Sequence, residues 1–116
     1  MTSNGWVRGL FRASWIGVRE TWRVVGDYVL SRDDVMDGRQ FDDGIAEGGG
    51  PLDVHHPEGG GTTLLQPSAP FATPYRSLLP VGVEGLIVAG RCVSATRDAM
   101  GALRHMGSAM ALGHAA

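Results

Sequence analysis

Few side chains in this chain are of a type and spacing that could do chemistry. Arg19 and Glu20 stand side by side. They read either as a pair that positions substrate or as a structural ion pair at the start of a strand. Arg76 follows Tyr75. A guanidinium recognises carboxylates through two parallel hydrogen bonds, so Arg76 is a candidate for an anionic substrate group. The alternative is a solvated charge beside a proline turn. Cys92 is the one cysteine, and free cysteine most often behaves as a small buried apolar residue. His55 and His56 are adjacent, so in a strand they face opposite sides and cannot share a metal. His105 and His114 are nine apart, which is not a helical ligand spacing, and zinc is rejected. Met100, Leu103, Met106 and Met110 recur at helical spacing and read as core packing.

Composition narrows the partners. The 116 residues allow one ordinary domain. A formal net charge of -2 leaves no basic footprint for nucleic acid. No apolar run is long enough to span a bilayer. A lone cysteine excludes an internal disulfide and fits a reducing compartment, so a cytoplasmic location is expected. The chain holds 18 glycines, well above the ~7% of average usage. They gather at turns and in the final helix, where they allow close backbone approach.

The elements that must position these residues follow from pattern. Residues 1–15 form a loose lead-in. Val18 to Leu30 is strand-prone, with Gly26 as a bulge or close approach. Ser31 with Asp34 three residues on makes a capping-box start for a helix from Arg32 to about Gly38. Phe41 to Glu47 suggests another helical turn. Leu52 to His55 and Thr62 to Leu65 suggest a hairpin with a Gly-rich tip. Pro67, Pro70 and Pro74 keep the next stretch extended. Tyr75 to Leu79 is a short strand or turn. Leu86 to Ala89 is a continuous apolar run, expected as a buried strand of a parallel sheet. A turn at Gly90 leads to a last helix that begins between Thr96 and Gly101. The predicted fold class is α/β, an α+β fragment with a closing strand, turn and helix. That order is how nucleotide-binding proteins bring a helix N-terminus to a cofactor. The Gly-rich partner motif GxGxxG is absent from the chain.

Four separated segments carry a family resemblance. They are Gly17 to Thr21 with Arg23 to Leu30, then Thr73 to Pro80, Leu86 to Thr96, and Ala99-Met100-Gly101 with Arg104 to Gly113. Together they resemble the C-terminal part of bacterial FAD-dependent oxidoreductases, over roughly residues 16–116. The resemblance implies an FAD/NAD(P)-binding, Rossmann-like flavoprotein whose ADP-binding βαβ unit belongs to a further N-terminal segment. Residues 16–80 would be part of the substrate-side domain and residues 81–116 the closing strand and helix of the FAD domain.

By that resemblance Gly90 and Arg91 lie near the ribityl-pyrophosphate part of FAD. Ser94 and Ala95, with the backbone of Met100, Gly101 and Ala102, lie near the flavin ring. Arg19, Glu20 and Arg76 are the substrate-side candidates, and no catalytic acid or base is assigned. Three positions depart from the family pattern: Trp22 replaces a basic residue, Arg97 a histidine, and His105 an apolar residue. The expected function is a flavin-contacting portion of an FAD-dependent oxidoreductase acting on an unidentified small molecule. The alternative is an inactive fragment or small interaction protein without cofactor. Exposed apolar surface on Leu86 to Ala89 and on the methionine helix would then drive homo-oligomers.

Overall fold

A computed structural model describes residues 20–116. The expectations placed on residues 1–19, including the role of Arg19, lie outside the described residues.

Ser31 starts the first helix as its sequence requires. Its hydroxyl accepts the Asp34 N–H, and the Asp34 carboxylate accepts the Ser31 N–H, completing a capping box. The helix is α1, Arg32–Met36. The stretch before it is not a strand. It bends at Asp27 and Tyr28 and makes two isolated bridges, Gly26 to Pro80 and Leu30 to Ala95. Gly26 is the predicted close approach: a Cβ there would lie 2.9 Å from the Ser94 Cβ.

The expected helical turn at 41–47 is instead strand β1, Gly44–Gly48. Its partner is β4, Phe71–Pro74, antiparallel and irregular between Gly44 and Ala46. All four β4 residues are buried, and the Phe71 ring packs onto Gly48. Burial on this sheet outweighs the weak local helical signal, because apolar area removed from water is worth more than propensity. The hairpin forms as predicted. Strand β2, Leu52–His55, pairs antiparallel with β3, Thr62–Leu65. Tyr75–Leu78 is a 3-10 turn.

Leu86 to Ala89 is not a strand. It has no regular structure, and Leu86 and Ile87 are 47% and 40% exposed. An apolar run becomes a buried strand only when neighbouring strands flank it. Both sheets among the described residues are antiparallel and two-stranded, and neither includes this run. The fold is therefore a small mixed helix and strand assembly, and the parallel sheet expected around this segment is not observed.

The last helix is two helices. Thr96 caps α2, Arg97–Leu103, by accepting the Ala99 N–H. The chain breaks at Arg104 and His105 and restarts as α3, Met106–Ala115. Met100, Leu103 and Leu112 are buried in a core with Leu30, Val35, Leu52, Phe71, Leu78 and Val93. Met106 and Met110 are 81% and 73% exposed, so only the α2 half of the methionine stripe packs the core. The break rotates the α3 residues off the α2 face.

Candidate functional site

Among the described residues strand β2 has one edge paired to β3 and no strand on the other. Alternate carbonyls of a strand point to the same edge, and those of Pro51, Asp53 and His55 are each taken by a side chain, two from the α2–α3 corner and one from the first residue of α2. His105 Nε2 lies 2.9 Å from the Pro51 carbonyl oxygen. Arg104 donates through Nη2 to the Asp53 carbonyl at 2.6 Å. Arg97 donates through Nη2 to the His55 carbonyl at 3.1 Å. Gly101 sits in the middle, and a Cβ there would stand 2.9 Å from the Asp53 carbonyl oxygen. Glycine is required at this close approach.

This corner builds a cleft of about 260 Å³ lined by Asp53, Arg91, Arg104, His105 and Met106. Arg91 enters it from a 3-10 turn, Gly90–Cys92, whose first residue adopts a left-handed φ of 81° that favours glycine. Arg104 is held from one side. Its Nη2 also donates to Asp53 Oδ2 at 2.9 Å, and Asp53 Oδ2 lies 3.3 Å from His55 Nε2. The Arg104 side chain is 7% exposed, and its Nη1 is buried without a hydrogen-bond partner. His105 is the residue before α3, and its side chain caps nothing there. The first-turn N–H groups of α3 have no intrahelical partner, as at any helix start, and the His105 side chain does not cap them.

The residues that the resemblance sets near the flavin ring, Ser94, Ala95, Met100, Gly101 and Ala102, do not line this cleft. Met100, Gly101 and Ala102 are buried against the protein's own core and β2. Their N–H groups lie within α2, where helical bonding consumes them. Ser94 and Ala95 are buried as well, and the 92–96 segment is threaded between neighbours by Val24 N–H to Cys92 O, Leu30 N–H to Ser94 O and Ser94 N–H to Ser77 O. Of Gly90 and Arg91, Arg91 lines the cleft. The residues missed were Asp53, Arg104, His105 and Met106. The one signal that pointed to them was His105 itself, a polar residue at an otherwise apolar position.

The substrate-side candidates are engaged elsewhere. Arg76 forms a two-pronged pair with Asp43, Nε to Oδ2 at 2.9 Å and Nη2 to Oδ1 at 3.1 Å, and its guanidinium lies over the Tyr28 ring. That hydrogen bond from Arg76 holds the Asp43 carboxyl below its ordinary range. Glu20 accepts from Arg97 Nε at 2.9 Å and borders an open groove of about 680 Å³ with Trp22, Val25 and Val29. Beside Arg76, Tyr28 donates to Asp34 Oδ2 at 2.9 Å. Burial and this bond to a carboxylate push the Tyr28 hydroxyl up, so it stays a proton donor. Cys92 is half-buried, with its Sγ 3.4 Å from the Ala89 carbonyl oxygen. Among the described residues no group of three metal-ligating side chains exists, and no helix is long and apolar enough to cross a membrane.

The sequence model of the FAD dependent oxidoreductase family matches residues 5–116. The chain belongs to the FAD dependent oxidoreductase family. The cofactor of this family is FAD. No curated protein and no solved structure matches the sequence. In an FAD dependent oxidoreductase a cleft with two guanidinium groups and an open helix start is chemically suited to the anionic and carbonyl oxygens of a flavin nucleotide. The orphaned Arg104 Nη1 is a donor that such an oxygen would satisfy.

Proposed function

We propose that this chain forms the flavin-contacting, C-terminal portion of an FAD-dependent oxidoreductase and that the cleft between the Gly90–Cys92 turn and the start of α3 receives part of the cofactor. The observation that carries the reading is the helix start that no side chain caps, set beside Arg91 and Arg104. When bound, FAD supplies the hydride or electron transfer, which protein side chains cannot perform alone. The chain's own residues hold and orient. Arg91 and Arg104 offer donors, the α3 backbone offers N–H groups, and Asp53 fixes Arg104. Arg19, Glu20 and Arg76 stay assigned to the substrate side, acting on a small-molecule substrate, with Glu20 beside Trp22 and Arg76 over the Tyr28 ring.

The Rossmann-like reading assigns residues 81–116 to the closing part of an FAD domain and 16–80 to a substrate-side region. The apolar run Val81, Val83, Leu86 and Ile87 supports it, because all four are exposed and an additional sheet would cover them. The same exposure favours a second reading, in which the chain alone is inactive and works only by association, with itself or with an FAD-binding partner segment. The test is the visible spectrum of the purified chain incubated with FAD and then desalted. A retained flavin band supports the first reading. A colourless protein that gains flavin only in the presence of a GxGxxG-containing segment supports the second.

A further inference from the structure

Among the described residues Ser77, Ser94 and Arg104 each bury an unpaired polar atom, and of these Arg104 alone is charged and lines the cleft. Its side chain is 7% exposed, yet one of its two terminal nitrogens has no partner. Leaving a buried charged donor unmade costs more than an ordinary hydrogen bond contributes. If Arg104 only braced β2, its Nη2 bonds to Asp53 would suffice and a lysine or glutamine would do the same with fewer orphaned donors. A guanidinium fork with one prong tied and one prong buried but unpaired at a cleft wall is suited to holding a bound oxyanion once the wall yields to admit it.

The surroundings select for an anion. Arg91 and Arg104 carry two positive charges into the cleft, and the start of the ten-residue α3 adds a partial one. Asp53 is the opposing charge, and its Oδ2 is taken up by Arg104 and His55. His105 faces the same cleft, with Nε2 on the Pro51 carbonyl. A carbonyl only accepts, so this nitrogen carries the proton and the other is left as an acceptor in the neutral ring. Met106, 81% exposed, stands at the mouth on a flexible stem that can swing to admit a ligand.

We propose that Arg104 is the anchor of an oxyanion subsite, and that Asp53 is a positioning residue that ties Nη2 so that Nη1 is left for the ligand. The chemistry is that of a phosphate or carboxylate group. Two sources share it: the pyrophosphate of the cofactor and the acidic group of a substrate. This inference deepens the cleft reading above and rests on the same cleft, but it does not require that the chain alone retain flavin.

The experiment is a titration of the 116-residue chain with inorganic phosphate at constant ionic strength, followed by the amide signals of Met106, Gly107 and Ser108 and the Arg104 Nε–H signal. Saturable shifts are expected in the natural chain. Arg104→Met should weaken phosphate binding at least tenfold, and Arg104→Lys, which keeps the charge but loses the fork, should weaken it less. Asp53→Asn should weaken it severalfold while Arg104 stays in place. Arg32→Gln, an exposed charge on α1, serves as the matched control and should change nothing. Circular dichroism melts identify variants that fail to fold, and the lysine variant then carries the test. Competition by FAD but not succinate assigns the subsite to the cofactor, and competition by succinate but not FAD assigns it to substrate. No saturable shift, unchanged binding in both Arg104 variants, or phosphate displaced by neither competitor would overturn the proposal. Loss of flavin retention with phosphate binding intact would sink only the flavin reading.

Discussion

Gly101 lies against Asp53 so closely that a single added methyl would meet the Asp53 carbonyl oxygen at 2.9 Å and its nitrogen at 3.1 Å. The obstacle is strand backbone, which cannot step aside as a flexible side chain would. This contact locks α2 onto the edge of β2 away from β3 and sets where Arg97, Arg104 and His105 land.

Gly101→Ala should therefore destabilise the protein. Helix propensity favours alanine by ~1 kcal/mol, while overpacking costs about 1–3 kcal/mol, and the clash wins. Gly113→Ala provides the contrast, since nothing lies within 4 Å of its Cβ position, and it should gain up to ~1 kcal/mol. Thermal melts should move in opposite directions, by about 4–8 °C for each kcal/mol.

Ser31→Ala should cost about 0.5–2 kcal/mol through loss of the cap of α1. The hydroxyl both accepts the Asp34 N–H and donates to Asp34 Oδ2 at 2.8 Å. Urea unfolding of the two proteins compares them directly. An unchanged midpoint would show that α1 is held by its packing alone.

Acid should weaken the fold through Asp34. Burial raises its carboxyl pKa, but the bonds from the Ser31 backbone and hydroxyl, Arg39 and Tyr28 outweigh it and hold the value below the ordinary one. A folded-state pKa lower than the unfolded one means the unfolded chain binds more protons in that window. The stability from Asp34 is thus fully present above an unfolded value of about 3.9 and is lost as pH falls through the folded one. Asp34→Asn should flatten the stability slope below about pH 4. A slope identical to that of the natural chain would refute this assignment.

Leu86→Gln with Ile87→Gln should reduce self-association. Both side chains are exposed, in line with the expectation that the apolar run of this segment lies uncovered, and contiguous apolar patches drive contact between copies. Sedimentation velocity should show a smaller weight-average size for the double variant with the far-UV spectrum unchanged. Equal sizes would place the association surface elsewhere, with Met106, Met110 and Trp22 as the next candidates.

Arg76→Met is expected to change stability by less than about 1 kcal/mol, because its pair with Asp43 is largely solvated. If turnover of the assembled oxidoreductase falls while the melt does not move, Arg76 belongs to the substrate side. If neither changes, its role is confined to the surface.

What the sequence alone determined is local and family-level. The Ser31–Asp34 cap and the β2–β3 hairpin are written in residue types close along the chain, where local side chains and a Gly-rich turn set the backbone without help from the rest of the chain. Four ordered motifs pointed to the FAD dependent oxidoreductases, and the family match over residues 5–116 agrees. Tertiary structure decided the rest. It turned 44–48 into a strand because β4 offered a partner, and it left 86–89 irregular because no strand among the described residues flanks it. It also formed the cleft at the start of α3, where Met100, Gly101 and Ala102 do not line it. Arg104 and Asp53 are 51 residues apart, and no periodicity links them. Only the docking of Gly101 on the strand edge brings that guanidinium to its carboxylate and leaves its other nitrogen unpaired.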